Sequence, residues 1–221
     1  KSPLLPSMPN WIAQQVNLDN AQHRLFLGAA LLGYYFLLRS SEYLYVKGGR
    51  HRYALQVRDV QVLDHDGKIT KHASDAVTVQ VTLRVSKTDQ RGQGTTRSLR
   101  RSGHKVICSV KAAVMLLEHA DKAGLDETDP ICSWFKKRMI RATVMTRLIK
   151  CAARATGKDP AHYSSHSMRS GGATSLLSAR VEVTTIKLHG RWSSSAFERY
   201  TRYTRQLEEP LAKLMAPKSS G

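Results

Sequence analysis

His166-Ser167-Met168-Arg169-Ser170-Gly171-Gly172-Ala173-Thr174 sets a histidine and an arginine three residues apart. On a helix that spacing puts both side chains on one face, near the helix start. Exposed backbone N–H groups and two basic side chains at a helix N-terminus suit an anion. Gly171, Gly172 and Ala173 then leave room for a second helix to pack closely. Taken alone, the same string also serves a capping histidine beside a surface arginine.

Upstream, an apolar run from Leu25 to Leu38 spans 14 residues and is interrupted by Gly28 and Gly33. It is too short for a membrane span and reads as a buried helix, part of a helical pattern from about Asp19 to about Val46 with Asp19 or Asn20 as N-cap. Arg39 ends the most apolar part, and Glu42, three residues on, shares its face. Three strand-like stretches follow, Tyr53 to Leu63, Val77 to Val85 and Thr95 to Val106, with turn signals at Asp66-Gly67 and Gly92-Gln93-Gly94. Helices are expected over Ser109 to Ala123, Lys136 to Thr156, Ser167 to Ala179, Thr184 to His189, Ser194 to Gln206 and Leu207 to Met215. The fold class is α+β, mostly helical with a small three-stranded antiparallel sheet. Pro3, Pro6 and Pro9 make the N-terminus an extended linker, and the absence of an initial methionine marks a piece of a longer protein. Tyr34, Tyr35, Phe36, Trp134 and Phe135 read as core.

The formal net charge of +18 over 221 residues points to a polyanionic partner, nucleic acid ahead of an anionic membrane surface. Residues 84–105 hold seven cations (Arg84, Lys87, Arg91, Arg97, Arg100, Arg101, Lys105) against Asp89 alone. Residues 136–150 hold six (Lys136, Lys137, Arg138, Arg141, Arg147, Lys150) and no acid. Any one of these also reads as a solvated surface residue; as groups they fit phosphate contacts. Cys108, Cys132 and Cys151 form no CxxC pair, which argues against a disulfide framework and a zinc ribbon. His162 and His166 lack the glutamate and third ligand of a helical metal site, so no metal is expected, and His162 reads as a surface or helix-start residue.

Downstream lies Leu188-His189-Gly190-Arg191-Trp192-Ser193-Ser194-Ser195-Ala196-Phe197-Glu198-Arg199-Tyr200-Thr201-Arg202-Tyr203. With this stretch the set Arg39, Lys87, His166, Arg169, Trp192 and Tyr200 resembles, in order, the signature of the tyrosine recombinase (phage integrase) family, and its flavour is that of recombinases from eukaryotic mobile elements. The resemblance covers about residues 20 to 206. It implies DNA breakage and rejoining, in integration or transposition, through a 3′-phosphotyrosyl link at Tyr200 with no metal or nucleotide cofactor. Arg39 and Arg169 would hold the phosphate oxygens, with hydrogen bonds added by His166 and Trp192. His166 would accept the tyrosine proton and Lys87 would protonate the leaving 5′ oxygen. One departure stands out: the His/Trp position usually precedes the nucleophile by nine residues, a spacing that Arg191 satisfies and Trp192 misses by one. Tyr203 is the rival nucleophile.

The implied organisation is a linker over 1–18 from a missing N-terminal core-binding domain, a catalytic domain over 19–206, and a C-terminal helix and tail over 207–221. The implied partner is double-stranded DNA, bound by a homo-tetramer, although an isolated fragment would be monomeric. The setting would be the nucleus in a eukaryote or the nucleoid in a bacterium. Two other readings fit parts of the pattern: a type IB topoisomerase-like enzyme that relaxes DNA, and a non-catalytic DNA-binding protein on the same fold.

Overall fold

Asn20 starts the first long helix with its own side chain, whose Oδ1 accepts the backbone N–H groups of Gln22 (2.9 Å) and His23 (3.2 Å). The computed structural model describes residues 1–84, 94–136 and 138–192. Lys87, Arg91, Lys137, Tyr200, Tyr203 and the two C-terminal helices expected from the sequence lie outside the described residues.

The N-terminus is no extended linker. Helix α1 (Ser7–Gln15) tucks Met8, Pro9 and Ile12 into the protein, and Leu4 is buried with them. The backbone N–H of Leu4 donates to the Ser167 carbonyl at 3.0 Å. Pro6 and Pro9 fit because one is the N-cap residue and the other lies in the first turn, where an N–H has no helical partner to lose.

Helix α2 (Ala21–Tyr35) buries residues around most of its circumference, which makes it the central element. The sequence pattern suggested one helix to Val46, but the chain breaks after Phe36. Leu37 is left-handed (φ 49°), and the N–H of Leu38 reaches back to Gly33 O at 3.0 Å. That 6→1 bond is a Schellman-type ending with leucine where glycine usually sits. The short helix α3 (Ser40–Tyr43) follows, with Arg39 at its N-cap.

Three strands, β1 (Val60–Leu63), β2 (Thr78–Leu83) and β3 (Thr95–Arg100), form an antiparallel sheet in the order β1-β2-β3. Val60 pairs with Val81, and Thr78 with Arg100. The alternation puts Val60, Val62, Val79, Val81 and Leu83 on the buried face, against helix α4 (Ser109–Lys122). The first strand is shorter than expected because Val57–Asp59 is a 3₁₀ turn, closed where the Gln56 N–H donates to Asp59 Oδ2 (2.7 Å). The third stops at Arg100.

Lys136 and residues 138–141 are not helical, contrary to the expectation for Lys136 to Thr156. They complete a hairpin of β4 (Ser133–Phe135) and β5 (Arg138–Met139), and helix α5 begins only at Ala142 and runs to Ala155. Phe135 at that hairpin is exposed rather than core. Helices α6 (His166–Ser178) and α7 (Val183–Gly190) lie close to their expected positions.

Helix α6 crosses the end of α2 at Gly172, where a Cβ would meet the Tyr34 carbonyl oxygen and Leu37 Cδ2. Because one neighbour is backbone, Gly172→Ala is expected to cost about 2–3 kcal/mol through forced separation of the helices. Urea unfolding would measure it; an unchanged midpoint would show that the crossing can open without penalty.

Most buried residues belong to one core; Leu37, Ala173 and Ile186 form a second, smaller one, with Trp192 and Leu177 packed against it. Cys108 and Cys132 are buried thiols, and Cys151 is exposed. Among the described residues, no helix is long and apolar enough to cross a membrane, and no group of His, Cys, Asp or Glu is placed to hold a metal ion. His162 ends a 3₁₀ turn beside Asp159 (3.4 Å) on the surface.

Candidate active site

Helix α3, the start of α6 and the end of α7 come together although their residues are up to 150 positions apart in the chain. Ser40 Oγ at the start of α3 donates to Ser165 Oγ, just before α6, over 2.9 Å in a buried contact. The N–H of Ser165 donates to Thr146 Oγ1 of α5 at 3.0 Å. These bonds fix the N-terminal turns of α3 and α6 side by side, and with them Arg39 and His166.

Arg169 is the centre of the arrangement. Only 2% exposed, it donates from Nη1 to Leu37 O and from Nη2 to Gly190 O (2.6 Å). Its guanidinium thereby ties the end of α2 to the end of α7. Trp192 lies over it, with the guanidinium carbon 4.2 Å from the ring centroid, a cation–π contact. Gly190 makes room for this: a Cβ there would overlap the six-membered ring of Trp192. The sequence reading gave Trp192 a hydrogen-bonding role; the contact described is made by the ring face.

Arg191 closes α7 in a left-handed conformation (φ 59°) and turns back into the site. Its Nη2 donates to Glu42 Oε2 at 3.0 Å and its Nη1 to Glu42 Oε1 at 3.3 Å. Arg39 meets the same carboxylate through Nη1 (3.0 Å) and through its backbone N–H (2.7 Å). Three guanidinium groups around one carboxylate leave two net positive charges. Burial pushes the Glu42 carboxyl up, but Arg191, the Arg39 N–H and guanidinium, and Arg169 together outweigh it and hold it below the usual carboxylate value. Arg191 has its own pKa lowered by burial, against the pull of Glu42.

His166 is the first residue of α6. The residue is exposed; partial desolvation, and then the Arg169 charge, lower its pKa, which favours the neutral imidazole near pH 7. His189 is lowered likewise by burial; its Nε2 lies 2.8 Å from Tyr35 O and must carry the proton there.

Of the sequence candidates, Arg39, His166, Arg169 and Trp192 are thus neighbours. Two residues were underrated by sequence: Arg191, visible only as an alternative in the spacing count, and Glu42, which is the shared partner of two arginines rather than of Arg39 alone.

The proposed DNA-contact residues divide. Arg84 pairs with buried Asp59 (Nε to Oδ1 2.8 Å, Nε to Oδ2 2.9 Å) and donates to Ala54 O. Arg101 donates to Ala76 O and Ala73 O, and Lys136 pairs with Asp126 at 3.0 Å. Arg97 Nη2 donates to Leu188 O at 2.8 Å, so the last carbonyls of α7 are capped by Arg97 and Arg169, as a helix C-terminus favours. Arg100, Arg138 and Arg141 are exposed.

No protein-family model and no curated protein matches the sequence. Solved structures do. The site-specific recombinase XerH, bound to a palindromic difH substrate after cleavage, superposes with a TM-score of 0.64 at 13% identity, over 96% of this chain and 53% of that one. Its pre-cleavage complex gives 0.62 at 13% identity, over 98% and 55%. The Tn1549 transposon integrase in complex with circular intermediate DNA gives 0.55 at 13% identity, over 97% and 64%. The chain spans about half the length of the XerH chains. At such identities the likeness is one of fold, and the chain has the catalytic-domain fold of the tyrosine recombinases.

Proposed function

We propose that this chain breaks and rejoins DNA strands with Tyr200 as nucleophile. The observation that carries the reading is the meeting of Arg39, His166, Arg169 and Trp192 around two net positive charges, with Tyr200 eight residues beyond Trp192 in the sequence. A phosphodiester and an attacking phenolate repel each other, and fixed guanidinium groups offset that repulsion most as charge grows on the phosphorane. The tyrosine hydroxyl, with an ordinary pKa of about 10, gives up its proton during attack; a neutral His166 is in the right state to take it. The phenolic oxygen bonds to phosphorus, the P–O5′ bond breaks, and Lys87 protonates the leaving oxygen. Attack by a 5′ hydroxyl reverses the sequence and restores the tyrosine. Every charge in this scheme is met by a side chain of the protein, so it calls for neither metal nor nucleotide. The working unit in this reading is a homo-tetramer on two duplexes.

Covalent trapping tests it. On a nicked suicide duplex that lets the 5′ fragment diffuse away, wild type and Tyr203→Phe are expected to give a denaturant-stable protein–DNA adduct, and Tyr200→Phe none. An adduct formed by Tyr200→Phe would assign the nucleophile elsewhere.

A further inference from the structure

We propose that the loop over residues 45–53 is a duplex-binding element that holds DNA on the flank of the candidate active site, an inference that rests on the DNA reading above. Its sequence, Tyr45-Val46-Lys47-Gly48-Gly49-Arg50-His51-Arg52-Tyr53, has three permanent cations and no acid. Lys47, Arg50 and Arg52 are all exposed.

Both ends of the loop are fastened to the site. Tyr45 stands three residues past Glu42 and is held between the backbones of Ile140 and Ala142, its N–H donating to Ile140 O and its carbonyl accepting from Ala142 N–H, each at 2.9 Å. The returning segment is tied to Glu42 itself, since the Leu55 N–H donates to the Glu42 carbonyl at 2.8 Å. Between these anchors the tip is turned by Gly48 and Gly49, both at positive φ (99° and 113°), where a side chain would be strained.

Three features point to nucleic acid. The first is continuity: Tyr45 bridges to Arg141, so the loop's cations extend the basic ridge of Arg138 and Arg141, both exposed. The second is aromatic interleaving. Tyr45 is 42% and Phe135 53% exposed, two of the six large apolar side chains left in solvent among the described residues. Nearby, Arg138 lies over the Phe135 ring (5.4 Å) and His51 stacks on Tyr53 (4.9 Å). The third is the boundary: Arg50 donates to Thr128 O and Lys136 pairs with Asp126, so the acidic segment 126–129 limits the ridge on that side. A folded hairpin ridge with aromatics set singly among cations fits phosphates and sugars better than a lipid surface, which favours one continuous apolar face.

The test is the salt dependence of duplex binding by the intact chain. Lys47→Ser, Arg50→Ser and Arg52→Ser are combined in one variant, and Lys71→Ser, Lys122→Ser and Lys158→Ser, exposed cations elsewhere, in a charge-matched control. Each phosphate contact contributes about 0.9 to the slope of log K against log salt, so the loop variant is expected to lose about two to three from that slope and the control almost nothing. Hydroxyl-radical footprints should shorten on one side of the bound site only with the loop variant. Equal slopes and footprints for loop variant and wild type would overturn the proposal while leaving the DNA reading intact. A wild type that binds no duplex at any salt would overturn the DNA reading and this inference with it. Loop-dependent flotation with phosphatidylserine vesicles, without loop-dependent DNA binding, would give the surface to a membrane instead. Matching thermal unfolding midpoints of the three proteins establish that the loop change leaves the fold in place.

Discussion

Arg169→Met is expected to cut covalent DNA cleavage by about 10²–10³-fold, the scale seen when one preorganised charge-stabilising donor is removed, and to destabilise the protein by about 2–4 kcal/mol. The stability loss follows from what the guanidinium holds. Gly190 O loses its donor in a buried setting, while Leu37 O keeps a longer one from Arg191 Nη2 (3.4 Å); an unpaired buried acceptor costs about 1–3 kcal/mol. Trp192 loses the cation beneath its ring, about 1–2 kcal/mol in a desolvated contact. Arg169→Lys separates the two effects. An ammonium keeps the charge but cannot present a planar fork to two carbonyls, so it should recover part of the stability and little of the rate. Single-turnover cleavage and urea unfolding measure the pair; wild-type cleavage by Arg169→Lys would mean that a point charge suffices there.

The second large effect is expected at Glu42. Its side chain is 1% exposed and that of Arg191 is 7% exposed, so Glu42→Ala strands a buried guanidinium whose Nε already lacks a partner among the described residues. Breaking one half of a buried ion pair costs about 3–5 kcal/mol. Glu42→Leu combined with Arg191→Met removes both charges and should recover most of that loss, giving a strongly non-additive double-mutant cycle. The pair also sets a pH dependence. Because the Glu42 pKa is lowered in the fold, its contribution is full above the ordinary glutamate value of about 4.3 and fades as pH falls through the lower folded value. His166 and His189, both lowered, cost stability earlier on acidification, from about pH 6.5 downward, because the unfolded chain takes up protons first. The difference between wild type and Glu42→Gln in urea midpoint, followed from pH 7 to pH 3, therefore isolates the carboxylate; curves that stay parallel below pH 4 would mean that the pair carries no linked proton.

Much of this was legible in the residues, and what was not has identifiable causes. Helix α4 has a clear amphipathic repeat and a glycine at its end, and α6 begins at His166 as its spacing suggested. The sheet alternation of Val79, Val81 and Leu83 was equally plain. The break after Phe36 was hidden because leucine seldom takes a left-handed conformation, and only tertiary contact holds it there. Helix α1 was masked by its prolines, although Leu4, Met8 and Ile12 carry a helical spacing. At the site, sequence order named Arg39, His166, Arg169 and Trp192, but no local pattern shows that Arg191 turns back onto Glu42. Nor does charge count tell a cation bound to its own backbone, such as Arg101, from one that faces solvent, such as Arg100.

Among the described residues, three that are not glycine hold a left-handed backbone, and two of them, Leu37 and Arg191, end the helices that Arg169 joins. Such a conformation costs about 1–2 kcal/mol per residue, so two sprung turns face each other across a single clasp. In the proposed reading, a phosphate that competed for that guanidinium would loosen its hold on both turns together. Trp192, whose ring rests on the same guanidinium, would lose part of its support with them.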